Sequence, residues 1–215
     1  MNLIQLSDRK LTALREQVTN EITRRTKTTV NGHDPAAIVY ANEIAKRALI
    51  VAAAGSHSIL FIGPPNCGKT MMRAVALELR LADTHEARPC PCGWRTHRNR
   101  PCRCTVTNIE RHVAKLPAAD ITVEMQQPAE QQRRMPGTTL AGMEGQIAEA
   151  ADFDSLELDH TAEMLLTAAV REMGIDEAAR QRIVQVARTV ADLDQSERIK
   201  SAHMAEAVNY HPLWR

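Results

Sequence analysis

Ser58-Ile59-Leu60-Phe61-Ile62-Gly63-Pro64-Pro65-Asn66-Cys67-Gly68-Lys69-Thr70 is the stretch that decides the fold. Its first five residues are mostly apolar, rich in strand formers and too few for a helix, which predicts a buried strand over 58–62. Gly63 to Thr70 then matches G-x-x-x-x-G-K-[ST] at every fixed position. Good helix formers follow at once, with Met72, Val75, Ala76 and Leu79 on one stripe, so a helix is predicted over 69–82. Strand, glycine-rich loop and helix are the context in which this motif binds phosphate. The glycines let backbone amides turn inward, the helix N-terminus adds partial positive charge, Lys69 reaches the terminal phosphates and Thr70 offers a hydroxyl to Mg2+. The predicted ligand is ATP or GTP with Mg2+. The contact set is Gly63, Pro64, Pro65, Asn66, Cys67, Gly68, Lys69, Thr70 and Met71, with Thr70 also the Mg2+ ligand. Cys67 reads as a small loop filler, because its position needs only a backbone amide. The competing reading, a chance Gly/Pro loop with a solvated lysine, is disfavoured by the strand and helix on either side.

Working outward, apolar residues recur at helical spacing over 41–54, and Gly55 stands where a helix end favours a left-handed residue. Residues 3–30 read as a charged amphipathic helix ended by Asn31-Gly32-His33-Asp34-Pro35, which makes 1–34 an N-terminal arm. On the other side, residues 86–104 carry cysteines among Arg, Pro and Gly and predict an irregular loop. A short helix is expected over 107–116 and the only other convincing strand over 121–125. Residues 127–159, rich in Gln, Glu, Gly and Pro, read as a linker with one helix near 145–151. Helices are predicted over 160–173, 176–193 and 201–209, the last with Ser201 as its N-cap. The expected organisation is therefore an arm (1–34), a phosphate-loop core (35–126), a linker (127–159) and a helical bundle (160–215).

The composition fits that picture. With 44% hydrophobic and 25% charged residues the chain is neither collagen-like nor wholly disordered. Aromatic residues make up only 3%, so the core must come from Ala, Leu, Ile, Val and Met, which disfavours an all-β sandwich. A net charge of +1 exerts no global pull on nucleic acid or an anionic membrane, and any such partner must be held by a local patch. The most apolar stretch, 48–62, is broken by Gly55, Ser56, His57 and Ser58 and falls short of the roughly 20 residues of a membrane helix. The opening residues MNLIQLSDRK lack a secretory signal layout. A cytoplasmic protein without membrane attachment is predicted.

Four of the five cysteines form two Cys-x-Cys pairs, Cys90/Cys92 and Cys102/Cys104. Four thiolates in one irregular loop suit tetrahedral Zn2+, with His97 as a stand-in ligand; free thiols or two disulfides are the alternatives. Cys-x-Cys is a less diagnostic spacing than Cys-x-x-Cys. Arg88, Arg95, Arg98, Arg100, Arg103, Arg111 and Lys115 surround Trp94 with little acid between them. Two readings stand: arginines that solvate a loop, or a surface that tracks a DNA backbone while the indole stacks on a base. His57, His160 and His203 lack neighbours at ligand spacing and read as structural, and no Ser/His/Asp or paired-carboxylate constellation is present.

Three blocks resemble one family. Glu43-Ile44-Ala45-Lys46-Arg47-Ala48-Leu49 through Ala52-Ala53-Ala54-Gly55-Ser56-His57 and the phosphate loop resemble the start of the magnesium-chelatase ATPase subunit and its competence-associated AAA+ relatives. Cys90-Pro91-Cys92-Gly93-Trp94 with Arg100-Pro101-Cys102-Arg103-Cys104 is similar to the cysteine segment of the competence-associated branch. Val186-Ala187-Arg188-Thr189-Val190-Ala191-Asp192-Leu193, Ser196-Glu197, His203-Met204-Ala205-Glu206-Ala207 and Tyr210 resemble that branch's C-terminal lid. The resemblance implies an α/β fold, helix-rich overall, with a reduced AAA+-like phosphate-loop core of few parallel strands and a C-terminal helical lid. It also implies ATP as the nucleotide, with a full-length AAA+ relative in a mixed ring as the complement that would restore turnover; a homo-oligomer is expected instead from an uncovered sheet edge.

The chain departs from that pattern in an informative way. Residues 81–89 join the phosphate-loop helix directly to the cysteine segment, where the family has further strands with Walker B and a sensor. No apolar strand ends in Asp-Glu, the sensor asparagine aligns with Arg88 or Pro89, Pro117-Ala118-Ala119-Asp120 replaces the arginine-finger segment, and the lid's sensor arginine falls on Ala178, with Arg182 and Arg188 retained. Hydrolysis by this chain alone is therefore expected to be weak or absent. Family topology pairs the strand at 121–125 in parallel with that at 58–62 and would leave the other edge of the first strand bare, inviting another chain. The alternative reading is a zinc-stapled interaction or DNA-binding module with a relic phosphate loop.

Overall fold

The structure, a computed structural model, describes residues 34–37, 39, 40, 42–130, 132 and 137–212. The N-terminal arm and its helix over 3–30 lie outside the described residues. Residues from Pro35 onward form one compact unit. Its described part holds seven helices and three strands: α1 (Glu43–Gly55), β1 (Ile59–Ile62), α2 (Lys69–Glu78), β2 (Thr84–Ala87), α3 (Val106–Val113), β3 (Ile121–Glu124), α4 (Leu140–Ala148), α5 (His160–Met173), α6 (Glu177–Leu193) and α7 (Ser201–Asn209). The fold is α/β, with a small parallel sheet and a helical C-terminal part.

The sheet has the order β2-β1-β3. β1 is its apolar centre, and Ile59, Leu60, Phe61 and Ile62 are all buried, each contributing roughly 1.5–3 kcal/mol relative to exposure. β3 pairs with it in parallel, as expected, with Ile59 opposite Ile121 and Phe61 opposite Val123. The other edge of β1 is not bare. β2 lies on it in parallel, with Ile59 opposite Thr84 and Phe61 opposite Glu86. Thr-His-Glu-Ala carries no apolar pattern, so the strand was invisible in the sequence, and β1's free amides and carbonyls create it. Arg80, at φ 61°, turns the chain after α2 so that β2 can start four residues later.

Several helix ends differ from expectation. α1 ends with Ser56, not Gly55, in the left-handed region (φ 55°). Gly55 is needed for closeness: a Cβ there would lie 2.3 Å from His57 Nε2 and 2.4 Å from Thr189 Oγ1. α2 stops at Glu78 and α3 spans Val106–Val113. α4 begins at Leu140, earlier than expected, because the Thr139 hydroxyl accepts the Gly142 amide as an N-cap. Lys200 rather than Ser201 occupies the N-cap of α7, and its amide donates to His203 Nδ1 at 3.1 Å. α5 begins at His160 as expected, and α6 begins at Glu177, one residue later than expected, because Asp176 caps it; the Asp159 and Asp176 carboxylates accept the Ala162 and Ala179 amides.

α1 is the pivot of the unit, packing against β3, α4 and α6. Its Ala48, Leu49, Val51 and Ala52 join β1, β3 and the faces of α5, α6 and α7 in one apolar cluster. Polar ties run across the same seam. Arg47 donates to Glu206 at 2.9 and 3.3 Å, and the Tyr210 hydroxyl reaches Glu206 at 2.8 Å. Ser58 and Asp120 exchange bonds at the start of β1 and β3: the Ser58 amide and hydroxyl donate to the carboxylate at 2.9 and 2.7 Å, and the Asp120 amide returns one at 2.9 Å. His57 meets Thr189 at 2.8 Å. Burial pushes the His57 imidazole below its ordinary value, against a smaller opposing pull from Asp120.

Candidate functional site

The loop from Gly63 to Thr70 leaves the buried end of β1 and enters α2. Two of its glycines are required by geometry. Gly68 caps α2 at φ 97° in the left-handed region, and a Cβ on Gly63 would lie 2.5 Å from the Met125 carbonyl and 2.7 Å from Cys67 Sγ. No side chain caps the first turn of α2. Lys69 turns back into the loop, donating to the Gly63 and Pro64 carbonyls at 2.8 Å each and lying 3.5 Å from Cys67 Sγ. Cys67 is buried, as a filler would be, and burial raises its thiol pKa while nearby Lys69 opposes the rise. Met71 is partly exposed on the first turn of α2.

Residues that the motif does not announce hold the loop from behind. The Asn42 side chain, 6% exposed, donates to the Cys67 and Gln126 carbonyls at 3.3 Å each, and its own carbonyl accepts the Gln126 amide at 3.2 Å. Gln127 donates to the Pro65 carbonyl at 2.8 Å. One amide thus clamps the entry to α1, the loop and the exit of β3. No sequence pattern marks this role, because the partners lie 25 and 84 residues away. On the opposite flank the Gly63 amide donates to the Ala87 carbonyl at 3.3 Å, so β2 runs up to the loop. The Thr70 hydroxyl donates to Glu86 Oε2 at 3.0 Å.

Beyond β2 the four paired cysteines converge. Their sulfurs all lie within 4.8 Å of one another. Cys90 to Cys92 is 3.4 Å, and Cys102 is 3.6 Å from each of those two. Tetrahedral zinc, with a metal–sulfur bond of about 2.3 Å, sets its sulfurs about 3.8 Å apart, so the group can hold a metal ion. All four are free thiols, as is Cys67. The Trp94 amide and neighbouring thiols bring Cys92 down to about 6. Cys102 receives the Cys104 amide, yet desolvation and the adjoining sulfurs push it up to about 12. Sulfurs this close ionise together only against a cation.

His97 is not drawn into the cluster; its ring meets Trp94 edge-on at 4.8 Å, and its Nδ1 accepts the Asn99 amide. Arg100 lies 4.6 Å over the Trp94 ring, a cation–π pairing. The cysteine loop abuts the phosphate loop: a Cβ on Gly93 (φ 79°) would meet Arg88 at 3.3 Å and Pro65 at 3.7 Å. The two arginines retained in the C-terminal helices are engaged elsewhere. Arg188 is buried against Asp192 and the Ser155, Ser196 and Glu197 carbonyls, and Arg182 lies 4.0 Å from Asp120. No described helix is long and apolar enough to cross a membrane.

Comparison with known proteins follows the same blocks. The family model described as magnesium chelatase, subunit ChlI, matches residues 36–88, and that of the subunit ChlI C-terminal region matches 118–211. Competence protein ComM of Haemophilus influenzae is 68% identical over 28 residues, 13% of this chain and 6% of that protein. The uncharacterized protein YifB of Escherichia coli is 39% identical over 67 residues, 31% of this chain and 13% of its own length. The matched segments thus span a small fraction of these curated relatives. The two family models cover the regions on either side of the cysteine loop, in the family's order, and the chain belongs to the magnesium-chelatase-related family.

Proposed function

We propose that this chain binds Mg2+-ATP through the loop from Gly63 to Met71 and uses the bound nucleotide to assemble with copies of itself or with a full-length relative, rather than to turn over ATP alone. One observation carries the reading: the motif lies between a fully buried strand and an uncapped helix N-terminus, with both glycines in positions a Cβ would spoil. An anion placed there meets the amides of Gly68 to Thr70 and the partial charge of α2, and Lys69 exchanges two carbonyl contacts for phosphate oxygens. When bound, Mg2+ supplies neutralisation of the β- and γ-phosphate charge. Thr70 provides a hydroxyl toward it, and Cys67 keeps the loop's inner face filled and dry.

Turnover needs more than binding. An arginine finger contributes roughly 10³–10⁵ in rate, and the segment before β3, Pro117-Ala118-Ala119-Asp120, offers no arginine. Arg182 and Arg188 are engaged with Asp120 and Asp192. A second subunit would have to supply the missing groups.

The deciding experiment is equilibrium binding of an ATP analogue with Mg2+ to the wild type and to Lys69→Ala. Micromolar binding that is lost in the variant supports the reading, and no binding in either removes it. A second reading rests on the four converged sulfurs beside the Arg100–Trp94 pair: a zinc-stapled module that contacts DNA or a relative through the cysteine loop. It expects one zinc per chain in protein purified under reducing conditions, salt-dependent DNA affinity, and no effect of Lys69→Ala on that affinity. Metal analysis showing no zinc would sink it.

A further inference from the structure

Nucleotide-bound Mg2+ characteristically takes one or two protein oxygens, a hydroxyl and a carboxylate among them, and leaves the rest of its octahedron to phosphates and water. In this chain the hydroxyl is Thr70, and no apolar strand ends in Asp-Glu to partner it; Glu124, which ends β3, lines a cavity with Pro89, Arg95, Val113 and Leu116. The fold supplies one from elsewhere. β2 packs against β1 with Glu86 opposite Phe61, and the Gly63 amide donates to Ala87, so Glu86 stands one residue before the level of the loop. Its Oε2 accepts the Thr70 hydroxyl at 3.0 Å. Oε1 is 3.8 Å from Arg73 Nη1, a loose pairing with a side chain that is 57% exposed. Surface pairs of that kind contribute little and yield readily to a stronger cation.

Two hard oxygen donors from different elements therefore meet at the mouth of the loop, on its solvent side. We propose that Glu86 is the acidic partner of Thr70 at the divalent cation of the bound nucleotide, taking the part that an acidic residue on a separate strand would otherwise play. The inference rests on the nucleotide-binding reading and adds a residue that the phosphate-loop motif does not contain. It also gives β2 a purpose: an edge strand of four residues with almost no apolar content adds little core, but it places one carboxylate where α2 begins.

The test compares affinity for a fluorescent ATP analogue in excess Mg2+ and in EDTA, for wild type, Glu86→Gln and Arg73→Ala. Glutamine keeps an acceptor for the Thr70 hydroxyl, so the α2–β2 tie survives and only the charge is lost. Glu86→Gln is expected to cut the Mg2+-dependent gain in affinity by roughly 10- to 100-fold while leaving affinity in EDTA within about twofold. Arg73→Ala, which frees the carboxylate, should keep or raise that gain. The same Mg2+ gain in wild type and Glu86→Gln would overturn the inference and leave nucleotide binding standing. An equal loss in Arg73→Ala would show that Glu86 acts only through the surrounding surface, and would overturn it too. A wild type that binds in neither condition removes both readings. Electron paramagnetic resonance of Mn2+ with ATP gives an independent readout, in which Glu86→Gln should leave more free Mn2+ than wild type.

Discussion

The two flanks of β1 are built on different principles. On the β3 flank the strand is apolar and buried, Asp120 and Ser58 exchange three hydrogen bonds, and Asn42 clamps the phosphate loop to Gln126. On the β2 flank four polar or small residues lie at the sheet edge, and their notable contacts are Glu86 with Thr70 and Arg73. The first flank holds the molecule together. The second adds few buried atoms but sets Glu86 against Thr70 and leads directly into the loop where the four cysteines converge.

That contrast can be broken by substitution. The largest effect is expected from Gly63→Ala, whose Cβ meets the Met125 backbone at 2.5 Å; overpacking against backbone should cost about 3 kcal/mol, read as a lowered urea midpoint. Asp120→Ala comes next. It leaves the Ser58 amide without its partner and should cost about 2 kcal/mol by the same measurement. A tie of equal cost on the β2 flank would erase the distinction, whereas Glu86→Gln is expected to change stability by less than about 0.5 kcal/mol.

Acid sharpens the comparison. Burial holds His57 and His203 below the ordinary imidazole value of 6.5, His203 despite the opposing pull of Asp194. Below pH 6.5 the unfolded chain binds protons that the folded chain resists, so stability falls as pH drops. Urea midpoints should decline from pH 7 toward pH 5, and the decline should flatten in a His57→Gln/His203→Gln double variant; an unchanged slope would place the acid sensitivity elsewhere. The smallest global effect is expected from a zinc chelator. It should raise amide exchange over residues 90–104 and leave β1 and β3 protected, since the metal-ready cluster lies outside the apolar core.

The same contrast explains what could be read from the sequence. β1, the loop, α2 and β3 were legible because apolar runs and fixed spacings are local signals. The C-terminal helices were legible because their apolar stripes are local too, although the caps that start them, Asp159, Asp176 and Lys200, were not. β2 was not, because Thr84 to Ala87 become a strand only by pairing with β1. Of the candidate site, the motif residues and the four cysteines were visible, whereas Asn42, Gln127 and Glu86 act across 16 to 84 residues of chain. The start of α4 was displaced because Gly142 and Gly145 weaken its helical signal, and only the Thr139 cap marks where it begins.

Arg188 carries one further consequence. The irregular chain around residues 149–158 reads by composition as a loose tether, but it is sewn to α6 and to the turn beyond it. Arg188 holds the Ser155, Ser196 and Glu197 carbonyls and lies 5.6 Å over the Phe153 ring, the Ala151 amide reaches Asp192, and Leu158 bridges Ile199. Fixing a residue costs roughly 1–2 kcal/mol of backbone entropy, and here one guanidinium offsets that cost at several points at once. Mechanically the segment is a splint: α4 and α5 are joined through several fixed points on α6 and the turn beyond it, not through slack chain.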